Sequence, residues 1–187
     1  MKMSLEKVKE TLGEKFSRDA DFLESIILRL DLDKNSKILD IGTGWGFMAI
    51  TLALHGYNVI TGEPENEKWA DWKSRAQSVN VEEKITFKPF NAENLPFDNA
   101  SFDAIFLYTS LHHIDDKARA IKEFLRVMKP NGMLIIIELT EEGVKLIRKR
   151  RIHHPDPVDP IVLTKSFKLK VEIIETRYLH SYIFKWA

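Results

Sequence analysis

The chain has 187 residues, enough to bury one substantial core, with 44% hydrophobic and 30% charged side chains, the balance of an ordinary globular protein. Its 28 basic and 28 acidic residues cancel, so no global field draws it to nucleic acid or to an anionic membrane. Cysteine is absent, which excludes disulfides, thiolate metal sites and thiol nucleophiles.

The opening stretch "MKMSLEKVKE" lacks the apolar core of a signal peptide, and no apolar run approaches the ~18 residues that cross a bilayer. The expectation is a cytoplasmic protein without a membrane partner, folded as a single domain over 1–187 with no repeats and no linker. Residues 4–15 and 19–31 read as two amphipathic helices, Phe22, Leu23, Ile26, Ile27 and Leu30 recurring at helical spacing. "KILDI" is a short buried strand, and "GFMAITLALHG" a helix closed by Gly56. "YNVITG" is a second strand, followed by a helix over 65–79 with Trp69 and Trp72 on one side. "KITFKPF" is a third strand, and the near-continuously apolar "FDAIFLY" a fourth, expected to be buried on both faces. "DKARAIKEFLRVM" is a helix stopped by Pro130, with "PNG" as its turn, and "MLIIIEL" a fifth strand. The tail offers a helix near 141–151, the Pro-rich loop "HHPDPVDP", and two β-rich runs, "FKLKVEIIETR" and "YLHSYIFKW", close enough to form a hairpin. Strands separated by helices imply right-handed crossovers, hence an α/β fold with a doubly wound, mostly parallel sheet of seven strands that ends in an antiparallel hairpin strand.

In such sheets ligands bind beyond the carboxyl ends of the strands. "DIGTGWG" sits there, between the first strand and its helix, and Gly42 and Gly44 let the backbone turn sharply and approach a ligand. The spacing is G-x-G-x-G, from Gly42 to Gly46. A dinucleotide fingerprint needs its third glycine at position 47, which is Phe47. A glycine-rich turn with no ligand stays open at this point. Glu63 follows the second strand, 21 residues after Gly42, where a carboxylate accepts hydrogen bonds from both hydroxyls of an unphosphorylated ribose. A carboxylate that only starts a helix is the alternative.

The stretch "FNAENLPFDNASFDAIFLYTSLHHIDD", residues 90–116, adds the third element. With "LDIGTGWG", the acidic residue after strand two, "NAENLPF" with "SFD", "LHHI" and "RVMKPNGMLIII" in order, the chain resembles the class I S-adenosylmethionine-dependent methyltransferases. The resemblance is to their small-molecule branch, typified by quinone-biosynthesis enzymes, and it runs from about 37 to 139. It implies a Rossmann-like core over 37–139 with helices on both faces of the sheet, a helical lid over 1–32, and a closing helix and hairpin over 140–187. It also implies S-adenosyl-L-methionine as cofactor and S-adenosyl-L-homocysteine as product. By position, Asp40 opens the loop and helps hold the methionine amino group. Gly42, Thr43, Gly44 and Gly46 pass beneath methionine and ribose. Glu63, with Pro64 after it, takes the ribose, and Ala92 meets the adenine ring. Asn91 stands where the family usually has Asp, so a neutral amide replaces a charge beside the adenine amino group. Leu107 and Tyr108 end strand four beside the methionine part, where the Tyr108 ring can also face the sulfonium.

A sulfonium methyl is already activated, so transfer needs mainly an aligned nucleophile. A base is needed only if the acceptor carries a proton. The candidates are His112, His113, Tyr108 and Glu138; no metal is demanded, and no metal-ligand spacing stands out. His153 and His154, in the Pro-rich loop, could hold a metal or line a pocket, but paired histidines in such a loop are more often simply exposed. The segment "LYTS" after strand four lacks the Asn/Asp-Pro-Pro-aromatic pattern, which argues against base amino groups of DNA and glutamine amides as acceptors. The expected partner is a small-molecule acceptor. The basic run 145–151, "KLIRKRR", leaves an RNA or protein acceptor open. A non-catalytic cofactor-binding domain and an NAD-dependent oxidoreductase are the remaining alternatives.

Overall fold

A computed structural model describes residues 3–65 and 71–187. The fold divides after Pro89 into two compact units, a boundary that falls inside the expected 37–139 core.

The first unit opens with α1 (Leu5–Leu12) and α2 (Glu14–Leu30). They are separated only by Gly13, at φ 82° and ψ −175°, a conformation that residues with a β-carbon reach only under strain. The second helix therefore starts at 14, not at the expected 19. Its buried stripe begins with Phe16 and continues through Ala20, Leu23, Ile26 and Ile27. Next come β1 (Ile38–Ile41), α3 (Phe47–Leu54), β2 (Val59–Gly62), α4 (Trp72–Ser78) and β3 (Ile85–Phe87). The strands lie in the order β3-β2-β1, both pairs parallel. Every residue of α3 is buried, as expected of a helix that is apolar all round. The expected helix over 65–79 is present from Trp72, after an Asp71 side-chain cap; its earlier part, with Trp69, lies outside the described residues.

The second unit holds β4 (Phe102–Tyr108), α5 (Lys117–Val127), β5 (Met128–Leu139), α6 (Glu141–Arg148), α7 (Pro160–Thr164), β6 (Leu169–Glu175) and β7 (Leu179–Trp186). Its strand order is β4-β5-β7-β6, with β4 and β5 parallel and β7 antiparallel to both neighbours. The hairpin is thus present, with its second strand inside. Burial explains the order: Leu179, Ser181, Ile183 and Phe184 of β7 are buried, while β6 exposes Lys170, Glu172 and Glu175, charges that suit an edge. "PNG" does not form a separate turn. It lies within β5, where the pairing with β4 shifts from Phe102↔Met128 to Ala104↔Met133. A β-carbon on Gly132 would stand 3.0 Å from Phe102 O, so the irregularity needs glycine. The Pro-rich loop also ends in a short helix, α7, that the sequence reading left as loop. Asp159 caps it and Pro160 opens it, but five residues are too few to show a period.

Together the seven strands make the mixed, mostly parallel sheet of the doubly wound class. Among the described residues no helix is long and apolar enough to cross a membrane.

Candidate functional site

In the first unit, β1 delivers Asp40 to the mouth of a loop that runs into α3. Gly42, Gly44 and Gly46 all adopt left-handed φ values, 88°, 48° and 76°. Gly46 is tighter than Gly44: a β-carbon there would meet Trp72 Cβ at 2.9 Å. Asp40, Thr43 and Thr61 are buried together. The Thr61 hydroxyl donates to Asp40 Oδ2 at 2.8 Å. Its one proton being used, the 2.9 Å bond to Thr43 is donated by the Thr43 hydroxyl. The other Asp40 oxygen, Oδ1, is buried without a hydrogen-bond partner among the described residues. Burial pushes the Asp40 carboxyl up to about 7; the Thr61 hydrogen bond opposes this, and the Glu63 charge adds to it.

Glu63, just past β2, is buried, and its Oε1 accepts the Gly44 backbone N–H. Pro64 beside it is exposed. The Trp45 ring has Lys15 Nζ at 4.4 Å and Arg75 Cζ at 4.3 Å from its centroid, cation–π contacts that tie α2 and α4 to the glycine loop. Phe47, at the position where a dinucleotide fold has its third glycine, is buried edge-on against Phe16 at 5.3 Å.

In the second unit, Asn91 is exposed and its Oδ1 accepts the Glu93 backbone N–H at 2.7 Å; Ala92 is half-buried. Leu107 is fully buried, and Tyr108 is half-buried. Thr109 follows at φ 49°, a strained setting for a β-branched residue at the end of a strand. A 3₁₀ turn over Leu111–His113 comes next. Glu138, on β5, is buried; its two oxygens accept Leu111 N–H at 2.8 Å and His112 Nδ1–H at 2.6 Å. The His112 Nε2 is buried with no hydrogen-bond partner among the described residues.

His113, at the surface, lies tilted against His112, with ring centroids 4.2 Å apart and planes at 50°. Desolvation, then the positive potential of His112, His154, Arg151 and Lys117, draws its pKa down to about 4. The expectation that His153 and His154 are both exposed holds only for His153. His154 is buried, 4.8 Å from the His112 ring. Arg148 grips the His154 carbonyl with Nε at 2.9 Å and Nη2 at 2.6 Å, and also reaches Asp156. Of the basic run 145–151, Lys145 is likewise engaged, with Glu142 at 2.9 Å.

Sequence reasoning missed Thr61, Thr109 and the approach of His154. Thr61 had a signal, a lone hydroxyl in an apolar strand; His154 had none, because its neighbours lie on another element.

Comparison with known proteins follows the same lines. The family model of the methyltransferase domain matches residues 39–136. A 27-O-demethylrifamycin SV methyltransferase of Amycolatopsis mediterranei is 34% identical over 67% of this chain and 46% of its own length. A ubiquinone/menaquinone biosynthesis C-methyltransferase of Rickettsia prowazekii is 33% identical over 59% of this chain and 48% of its own. The chain thus spans about half the length of the curated relatives it matches. The crystal structure of a SAM-dependent methyltransferase from Aquifex aeolicus has the same fold, with TM-score 0.70 and 20% identity over 98% of this chain and 99% of that one. These matches imply S-adenosyl-L-methionine as the cofactor, and the domain match, covering more than half of the residues, settles the family: this chain belongs to the methyltransferase domain family.

Proposed function

We propose that the protein transfers the methyl group of S-adenosyl-L-methionine to a small-molecule acceptor by in-line displacement. The observation that carries this reading is the buried Glu63 carboxylate set against the left-handed Gly44. It offers a ribose an acceptor at a place where the backbone is bare. The residues fit the cofactor. The orphaned Asp40 Oδ1 can accept from a cationic amine, and the three glycines leave room for a ligand against the loop. Phe47 works against a dinucleotide, because its ring packs on Phe16 at the helix start where a pyrophosphate would need close backbone approach.

When bound, the cofactor supplies an activated methyl on a cationic sulfur. In this reading the chain's residues bind and orient. Asp40 holds the amino group, Glu63 the ribose, Asn91 and Ala92 the adenine, and the ends of β4 at Leu107 and Tyr108 border the methionine part. Both Glu138 oxygens are engaged, so Glu138 orients His112 rather than taking a proton itself. His113, held at about 4, is a weak base at neutral pH. His112 Nε2 carries the lone pair that can take the proton of a protonated acceptor.

A small acceptor is supported by the names of the relatives, one for a rifamycin and one for ubiquinone and menaquinone biosynthesis. An RNA or protein acceptor is less well supported, since Lys145 and Arg148 are used within the unit. Calorimetric titration tests the cofactor: one equivalent of S-adenosyl-L-homocysteine binds and NAD does not. Binding of NAD alone would overturn the reading. A labelled-methyl screen over metabolite pools, with total RNA and protein as controls, then finds the acceptor.

A further inference from the structure

Three histidine rings meet in the second unit with no role in holding the cofactor. The ligand-capable nitrogens of His112, His113 and His154 all lie within 4.8 Å of one another. Two of the three rings are set up as ligands by their other nitrogen. His112 Nδ1 donates to the buried Glu138 carboxylate at 2.6 Å, and His154 Nδ1 donates to the Pro155 carbonyl at 3.1 Å. A carbonyl or an ionised carboxylate can only accept, so in both rings the proton is on Nδ1 and Nε2 keeps its lone pair. The carboxylate–histidine arrangement is the one that orients metal-bound imidazoles and raises their basicity.

The second, independent observation is the His112 Nε2 atom itself. It is buried, with the side chain 1% exposed, and has no hydrogen-bond partner among the described residues. A buried polar nitrogen without a partner is costly, and this one sits beside the other two rings. An electrophile at the centre of the cluster would satisfy it.

We propose that His112, His113 and His154 form a binding site for one divalent transition-metal ion of the zinc type, with Glu138 as the carboxylate behind His112. Three neutral imidazoles suit zinc, which takes them at ~2.0–2.1 Å in a tetrahedral set. The rings close inward on the ion to reach that distance. His113 lies at the surface while the other two are buried, so the fourth position faces outward, open to water or to a ligand oxygen. Arg151 and Lys117 act electrostatically on His113, which favours an anionic oxygen there. The Arg148 clamp on the His154 carbonyl holds the loop that brings the third ligand in. None of the three ligands is among the residues assigned to the cofactor, and with the ion bound His112 no longer serves as a base.

The test is metal binding by the full chain, read without any activity. Purified protein is dialysed against Zn2+ or Co2+ and then against metal-free buffer, and the retained metal is measured together with the visible d–d bands of Co2+. One equivalent is expected, with the intense bands of a low-coordinate histidine site. His154→Ala and His113→Ala should each weaken binding at least tenfold, and Glu138→Gln ~10–100-fold. His153→Ala, on the exposed neighbour, should leave binding unchanged. Circular dichroism and S-adenosyl-L-homocysteine titration of each variant separate metal loss from misfolding. Should a variant misfold, the wild-type stoichiometry and cobalt spectrum still decide. Less than one tenth of an equivalent retained, an octahedral cobalt spectrum, or equal losses in His153→Ala and His154→Ala would overturn the proposal.

Discussion

The Thr61 hydroxyl donates to one oxygen of Asp40 at 2.8 Å, while the other oxygen of the same buried carboxylate has no hydrogen-bond partner among the described residues. The half-satisfied carboxylate is costly in the ligand-free protein and useful once a cation arrives. Burial with one hydrogen bond leaves Asp40 titrating at about 7, far above the usual carboxylate range.

That shift makes stability depend on pH. Between about 4 and 7 the folded protein holds a proton on Asp40 that the unfolded chain has released, so stability falls as pH rises through this window and levels off above it. Asp40→Asn removes the ionisation, though its amide nitrogen inherits the unsatisfied position. We expect the ligand-free variant to be about 1 kcal/mol more stable than the parent at pH 8, or ~2–4 °C in Tm, and no more stable at pH 4. Thermal melts at the two pH values check this, and a parent whose Tm rises from pH 5 to 7 would contradict it.

Ligand binding should run the opposite way. A cationic amino group at Asp40 needs the ionised carboxylate, so affinity for S-adenosyl-L-homocysteine rises with pH, by up to about tenfold per unit below 7, and flattens above. Asp40→Asn should bind weakly at every pH with little slope. Calorimetry from pH 5.5 to 8.5, a range set by the value of about 7, distinguishes the two.

Glycine at 46 is required twice over, by its φ of 76° and by the 2.9 Å approach to Trp72 Cβ that a methyl group would make. Gly46→Ala should cost about 2–4 kcal/mol and loosen α4 from the loop. Urea unfolding measures the cost. A midpoint within error of the parent would show that the loop relaxes freely.

Asn91 invites a substitution in the other direction. Its amide oxygen already accepts the Glu93 N–H, and its –NH2 cannot accept from an adenine amino group. Asn91→Asp keeps the turn and adds a second accepting oxygen. We expect S-adenosyl-L-homocysteine to bind several-fold more tightly, by about 1 kcal/mol for a hydrogen bond to a charged group on an exposed residue. Unchanged affinity would mean that the adenine does not reach this side chain.

Much of the fold was legible because it rests on local pattern. "FDAIFLY" coincides with β4 residue for residue, since a strand buried on both faces is written as a nearly continuous apolar run, here interrupted only by Asp103. The glycine loop and Glu63 were legible because left-handed turns and strand-end carboxylates are properties of short segments. Boundaries were less so. α2 begins at Glu14, because a single glycine suffices to break the helix. β5 begins at Met128, because pairing with Phe102 outweighs the turn preference of "PNG".

The candidate site shows the same division. Composition and local pattern by themselves determined an α/β chain without thiol chemistry, a bare backbone loop after the first strand and a carboxylate after the second. Only the tertiary structure decided that Thr61 bridges Thr43 and Asp40, that Glu138 is committed to His112, and that His154 comes to the His112–His113 pair. A turn or a period is encoded within a few residues, whereas each of these contacts joins elements remote in the chain, and its partners are chosen by sheet register and loop packing.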